Sequence, residues 1–206
     1  MLILTFCSFY FPFRNESVNL NKTYELLLDS PIIAAVKDDL DLSGALDSDC
    51  QVVFLLYGTI LNVETLVRQI HSCNKLCFIH VDLIDGLNNR DIVVDALVKM
   101  CHPDGIISTR APLIRRAQQL GLVTVQRAFI FDSLSLKGLL AQLDTNHPDF
   151  IEILPGIIPS VIKEITEKTS IPLIAGGLIR NKQDVIQAFQ AGVIAVSTSA
   201  KDVWKM

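Results

Sequence analysis

Residues 172–179, PLIAGGLI, lead into a helix-patterned stretch from Asn181 to Gly192, and AVSTS follows at 195–199. The order reads as a buried strand opening onto a Gly-Gly turn, an amphipathic helix closed by glycine, and a second strand ending in hydroxyl residues. Two successive strand-to-helix loops of this type build the phosphate cradle in the last quarter of a (β/α)8 barrel. Gly176 and Gly177 let backbone N–H groups approach an anion closely. Ser197, Thr198 and Ser199 add donors at what reads as a helix N-terminus. Each motif alone is a tight turn or a helix cap; their succession on the final strands points to a bound phosphate.

Upstream the same alternation holds back to Pro31. Strands are predicted at 32–36, 52–57, 76–82, 105–109, 123–128, 150–155, 173–177 and 195–199, rich in β-branched residues and mostly preceded by turn signals. Between them lie apolar stripes at helical spacing: Val63, Leu66, Val67 and Ile70; Ile92, Val93, Ala96 and Leu97; Ile114, Ala117 and Leu120. Further stripes run through Leu136, Leu139, Leu140 and Leu143, through Val161, Ile162 and Ile165, and through Val185, Ile186 and Phe189. Asn62, Asn89, Ser133 and Asn181 stand where caps belong, Gly121 and Gly192 where helices end, and 201–206 reads as a final helical stub. Strand–helix alternation implies parallel strands with right-handed crossovers, and eight of them predict a compact, single-domain α/β fold, the (β/α)8 TIM barrel. Roughly 175 residues hold what usually takes about 250, so the loops must be short.

Composition agrees with that class. The 206 residues are 50% hydrophobic and 19% charged, with a mean hydropathy of +0.41, which suits strands buried on both faces. A formal charge of −4 does not advertise a polyanion partner, so any nucleic-acid contact must come from a local basic patch. The five cysteines, Cys7, Cys50, Cys73, Cys77 and Cys101, lack metal or redox spacing and read as reduced buried thiols of a cytoplasmic protein. Residues 1–13 are strongly apolar but too short to span a bilayer, and they lack the features of a signal peptide. Residues 1–25 are set apart as an apolar extension and 26–206 as the barrel, with no membrane partner expected.

Strand parity turns some side chains into the barrel. In FIEIL at 150–154 it turns Glu152 inward; in CFIHVD at 77–82 it turns His80 and Asp82 inward. In VTVQR at 123–127 it favours Gln126 inside, with Arg127 escaping the rule at the strand's end. Lys37 follows the first strand. Carboxylates in a narrow mouth require partners. Three readings stay open: neutralisation of Asp82 and Glu152 by Lys37 or Arg127, recognition of a polyol by the carboxylates, or a metal held by His80, Asp82 and Glu152. Arg110, Arg115, Arg116 and Arg127 fall within one βαβ unit, as a solvated helix face or as a patch for an RNA backbone.

Longer strings add a family resemblance. PIIAAVK at 31–37, HVDLIDGL at 80–87, PDGIISTR at 103–110 and QRAFIFDS at 126–133 resemble the glycerol-3-phosphate-responsive antiterminator family. DFIEILPGIIP at 149–159, IPLIAGGLI at 171–179 and STSAKDVW at 197–204 do so too, in the family's order from about Leu26 to the C-terminus. The resemblance implies a regulator, not an enzyme, that binds glycerol 3-phosphate and the mRNA leader of glycerol-utilisation genes, with no cofactor and no metal. Gly176, Gly177, Ser197 and Thr198 would hold the phosphate, and Asp82, Glu152, Arg127 and Lys37 the polyol. Arg110, Arg115 and Arg116 would meet RNA. A homo-oligomer is compatible with this reading. The alternative is a phosphate-binding barrel enzyme, an isomerase, aldolase or lyase, using Asp82 or Glu152 as acid/base and Lys37 as an amine nucleophile.

Overall fold

Eight parallel strands close on themselves in chain order in the computed structural model, which describes residues 16–88 and 90–206. They are β1 (Ile32–Val36), β2 (Val52–Leu55), β3 (Leu76–His80), β4 (Gly105–Ser108), β5 (Val123–Phe129), β6 (Phe150–Leu154), β7 (Leu173–Gly176) and β8 (Ala195–Thr198). β8 returns to β1, with Ile32 opposite Val196 and Ala34 opposite Thr198, so no edge strand remains. The apolar residues 1–13 and the expected cap Asn89 lie outside the described residues. Among the described residues no helix is long and apolar enough to cross a membrane.

Helices α1 (Glu16–Asp29), α2 (Asp39–Leu46), α3 (Val63–Ser72) and α4 (Ile92–Cys101) belong to the first half of the chain. The second half carries α5 (Ala111–Gln119), α6 (Ser133–Asn146), α7 (Pro159–Thr166) and α8 (Lys182–Gln190). Sequence reading misses the first two. α2 is short, carries Gly44 and has no clear apolar stripe. α1 crosses position 25, and its Leu20, Thr23 and Leu27 repeat at helical spacing. Leu20 and Leu27 join the apolar filling of the barrel, so α1 packs against that interior.

Alternate residues of each strand form two separate cores. Those facing the helices include Ala34, Val53, Ile79, Ile106, Ile151, Ile153 and Val196. Those facing the axis include Ile33, Phe54, Phe78, Val125, Phe150 and Ile174. Gly105 is required inside: a Cβ there would sit 2.3 Å from the Phe78 ring. The buried face of α4 is Val93, Val94, Leu97 and Cys101, while Ile92 and Ile186, read as facing the core, are exposed. Cys73 is also exposed, whereas Cys50, Cys77 and Cys101 are buried; all four are free thiols.

The caps follow local hydrogen-bond chemistry. Asn181 accepts from Gln183 N and Asp184 N in a capping box. At α6 the cap is Asp132, not Ser133, because its carboxylate reaches Ser135 N. Asn62 makes no such bond to α3 and instead accepts from Thr59 N. The expected final helix is a single 3-10 turn, Val203–Lys205.

Candidate functional site

The barrel's filling changes from apolar to polar towards the carboxyl ends of the strands. Glu152, wholly buried and inward as parity requires, accepts a hydrogen bond from Ser197 Oγ and pairs through Oε2 with Arg127 Nε at 2.5 Å. Arg127 is therefore inside, on the same row as Val123 and Val125. Gln126 faces out and donates to Gln142 of α6 at 2.8 Å, reversing the parity expected for β5. The reversal has a physical basis: the Glu152 carboxylate, enclosed on neighbouring β6, requires a cation.

His80 is also inside, and its Nδ1, 3.9 Å from Asp82 Oδ2, makes no hydrogen bond. Burial, reinforced by the Arg127 charge, pushes its pKa down to about 4 against the opposing pull of Asp82. The ring is thus neutral at pH 7.

Above the Glu152–Arg127 pair lies a cleft of about 320 Å³, walled by Ala35, Leu56, Leu154 and Ile179 and ringed by Lys37, Gly177, Arg180, Ser197, Thr198 and Ser199. Its size is at the lower end for ligand pockets, about 300–1,000 Å³. The structure therefore brings Gly177, Ser197, Thr198, Glu152, Arg127 and Lys37 to one concavity. Gly176 lies directly beneath it. A Cβ at Gly176 would fall 2.5 Å from Glu152 Oε1 and 2.8 Å from Ser197 Oγ, so this glycine makes room for the carboxylate. Gly177, at φ +74°, turns the chain in a conformation that side chains resist.

The cradle is made by loops rather than helix ends. At α8, Gln183 N and Asp184 N already bond to Asn181, and Arg180 N bonds to Asp184 Oδ2. Among the described residues, β8 is followed by the 3-10 turn Val203–Lys205. Thr198 Oγ1 donates to Ile179 O at 2.7 Å and accepts from Ala200 N at 3.0 Å, so its hydroxyl ties the two loops together. Arg180 escaped the sequence reading. Its signal was a cation placed just after Gly-Gly and before the α8 cap.

Asp82 does not line the cleft. It sits in a 3-10 turn, Val81–Leu83, where β3 has already ended, and accepts from Ser108 Oγ, Thr109 N and Thr109 Oγ1. Its cation is Arg110, with Nε at 3.4 Å, whereas Lys37 lies 3.9 Å from Asp41. Of the three readings, neutralisation by an internal cation thus holds for Glu152 with Arg127, whereas Asp82 pairs with Arg110 and not with Lys37 or Arg127. Neither do the three arginines form one patch. Arg115 reaches Asn146 of α6, and Arg116 binds Asp95 of α4 through Nε at 2.9 Å and through a second, shorter contact. They stiffen opposite sides of α5, and only Arg110 stands at the mouth.

A closed barrel with a buried carboxylate–guanidinium floor and a rim of Gly177, Ser197 and Ser199 defines a (β/α)8 protein with a small polar cleft at its mouth. The family described as "Glycerol-3-phosphate responsive antiterminator" matches residues 32–204, and the chain belongs to it. Protein YgcP of Escherichia coli (strain K12) is 43% identical over 181 residues, which span 88% of this chain and 95% of that protein. The crystal structure of the glycerol uptake operon antiterminator regulatory protein from Listeria monocytogenes str. 4b F2365 superposes with a TM-score of 0.82. It is 38% identical, with 84% of this chain and 94% of that one covered. A glycerol uptake operon antiterminator-related protein from Thermotoga maritima MSB8 gives 0.77 at 29% identity, with 86% and 99% covered.

Proposed function

We propose that this chain senses glycerol 3-phosphate in the barrel mouth and, according to occupancy, binds the leader mRNA of glycerol-utilisation genes to favour antitermination. The observation that carries the ligand part is the Ser197–Glu152–Arg127 floor beneath a loop cradle. Glu152 and the Nη donors of Arg127 suit polyol hydroxyls. Gly177 and Ser199, with Lys37 and Arg180 on the rim, suit a phosphate. Thr198, whose hydroxyl ties the two loops, and Gly176, which makes room for Glu152, shape this site.

The enzyme reading is weaker on the same residues. An amine nucleophile is activated by burial or a neighbouring cation; the Lys37 side chain is 58% exposed and faces a carboxylate. Glu152 is fixed by a cation and a hydroxyl, an arrangement suited to holding a ligand. Asp82, the other candidate acid/base, faces the β4–α5 loop.

Calorimetric titration with glycerol 3-phosphate, glycerol and inorganic phosphate tests the ligand assignment. Glycerol 3-phosphate should bind at least about tenfold more tightly than either fragment, since each engages only half of the site. Gly177→Val should abolish binding while the circular dichroism spectrum stays that of a barrel. Equal affinity for all three ligands, or undiminished binding by the folded variant, would place the site elsewhere.

A further inference from the structure

The loop after β5 carries an aromatic pair that the cleft does not use. Phe129 continues the inward row Val123, Val125, Arg127 and emerges at the mouth 44% exposed; Phe131, two residues on, is 81% exposed. Their rings are parallel within 4°, with centroids 5.8 Å apart. The backbone beneath them is pinned. Ile130 N bonds to Leu154 O at 2.8 Å, and Phe131 N bonds to Ser135 Oγ at 3.0 Å inside the α6 capping box. Leu134 extends the apolar surface from the first turn of α6. Large apolar groups held in water on a rigid loop mark an interaction surface.

Chemistry selects the occupant. Exposed Arg110 and Lys137 lie on the loop after neighbouring β4 and in the second turn of α6, while Lys37, Arg180 and Lys182 stand across the mouth after β1 and β7. Asp132, next to Phe131 in the chain, is turned back to accept from Ser135 N, which holds its carboxyl below the usual range at the positive end of α6. A flat π-face with exposed cations on the adjoining elements matches an unpaired nucleobase and its phosphates. We propose that Phe131, backed by Phe129, is a stacking platform for a single-stranded base of the bound RNA. The proposal rests on the antiterminator reading and adds to it where the RNA sits: on the rim of the barrel mouth rather than on Arg115 and Arg116, which are tied to neighbouring helices.

Fluorescence anisotropy with the full chain and a labelled transcript of the host's glycerol-operon leader tests it, using F131A, F131L and F131W. Alanine and leucine should each weaken binding roughly 5–150-fold. Tryptophan should retain affinity, and its emission should be quenched by RNA. The salt slope should be unchanged, because no phosphate contact is removed, and so should binding of glycerol 3-phosphate. Wild-type affinity in F131A overturns the platform, as does wild-type affinity in F131L, since any apolar group would then suffice. A change of oligomeric state in F131A with intact RNA affinity also overturns it, in favour of a second copy on this face. If wild-type protein binds RNA and the variants match it, the platform alone fails; if wild-type protein binds no RNA, the antiterminator reading fails with it.

Discussion

The His80 imidazole is only 2% exposed and shares the barrel interior with the Arg127 guanidinium. Burial and that charge both disfavour protonation, lowering the folded-state value to about 4 from 6.5. Between those values the unfolded chain binds more protons than the folded one. The histidine's contribution is therefore complete above about pH 6.5 and is lost as pH falls towards 4, at up to ~1.4 kcal/mol per pH unit. Urea unfolding of wild type and His80→Gln across this window should show a shallower pH slope in the variant. Identical slopes would contradict the buried neutral ring. The inward setting of His80 and Glu152 was legible from strand alternation. The Gln126–Arg127 inversion was not, because parity counted polarity within β5 alone while the deciding partner, Glu152, lies on β6.

Elements with a strong apolar stripe, such as α3 and α5, were legible because their buried faces repeat at helical spacing. The buried side of α2 is instead Asp41, Leu42 and Ala45 in an acidic stretch, which hides it. α1 was hidden differently: its apolar side chains pack into the barrel interior rather than onto the outer face of the strands. Leu27, 2% exposed, belongs to that interior, whereas Leu28 is 55% exposed. Leu27→Ala should cost about 2–5 kcal/mol of unfolding free energy, and Leu28→Ala no more than about 0.5. Equal effects in denaturant titrations would mean that α1 is not part of the barrel core. The loops after β7 and β8 show the same limit at the site. Their glycines and hydroxyls announced a cradle, yet Asn181 and Asp184 consume the amides at α8, and Thr198 binds loop to loop. Such use of donors is decided by three-dimensional proximity.

At the scale of the whole molecule, the proposed function requires a chain of formal charge −4 to meet a polyanion. That is feasible only if binding is confined to one end, the mouth that carries the rim cations, the aromatic pair and the ligand cleft. Placing ligand and RNA at one barrel mouth also supplies a route for control, because the ordering of one loop alters the surface offered by the others. The most direct test is the affinity for leader RNA with and without saturating glycerol 3-phosphate, repeated across salt concentrations. The account predicts tighter binding with ligand by roughly 5–150-fold, weakening as salt rises. The same affinity in both states, at every salt concentration, would contradict it.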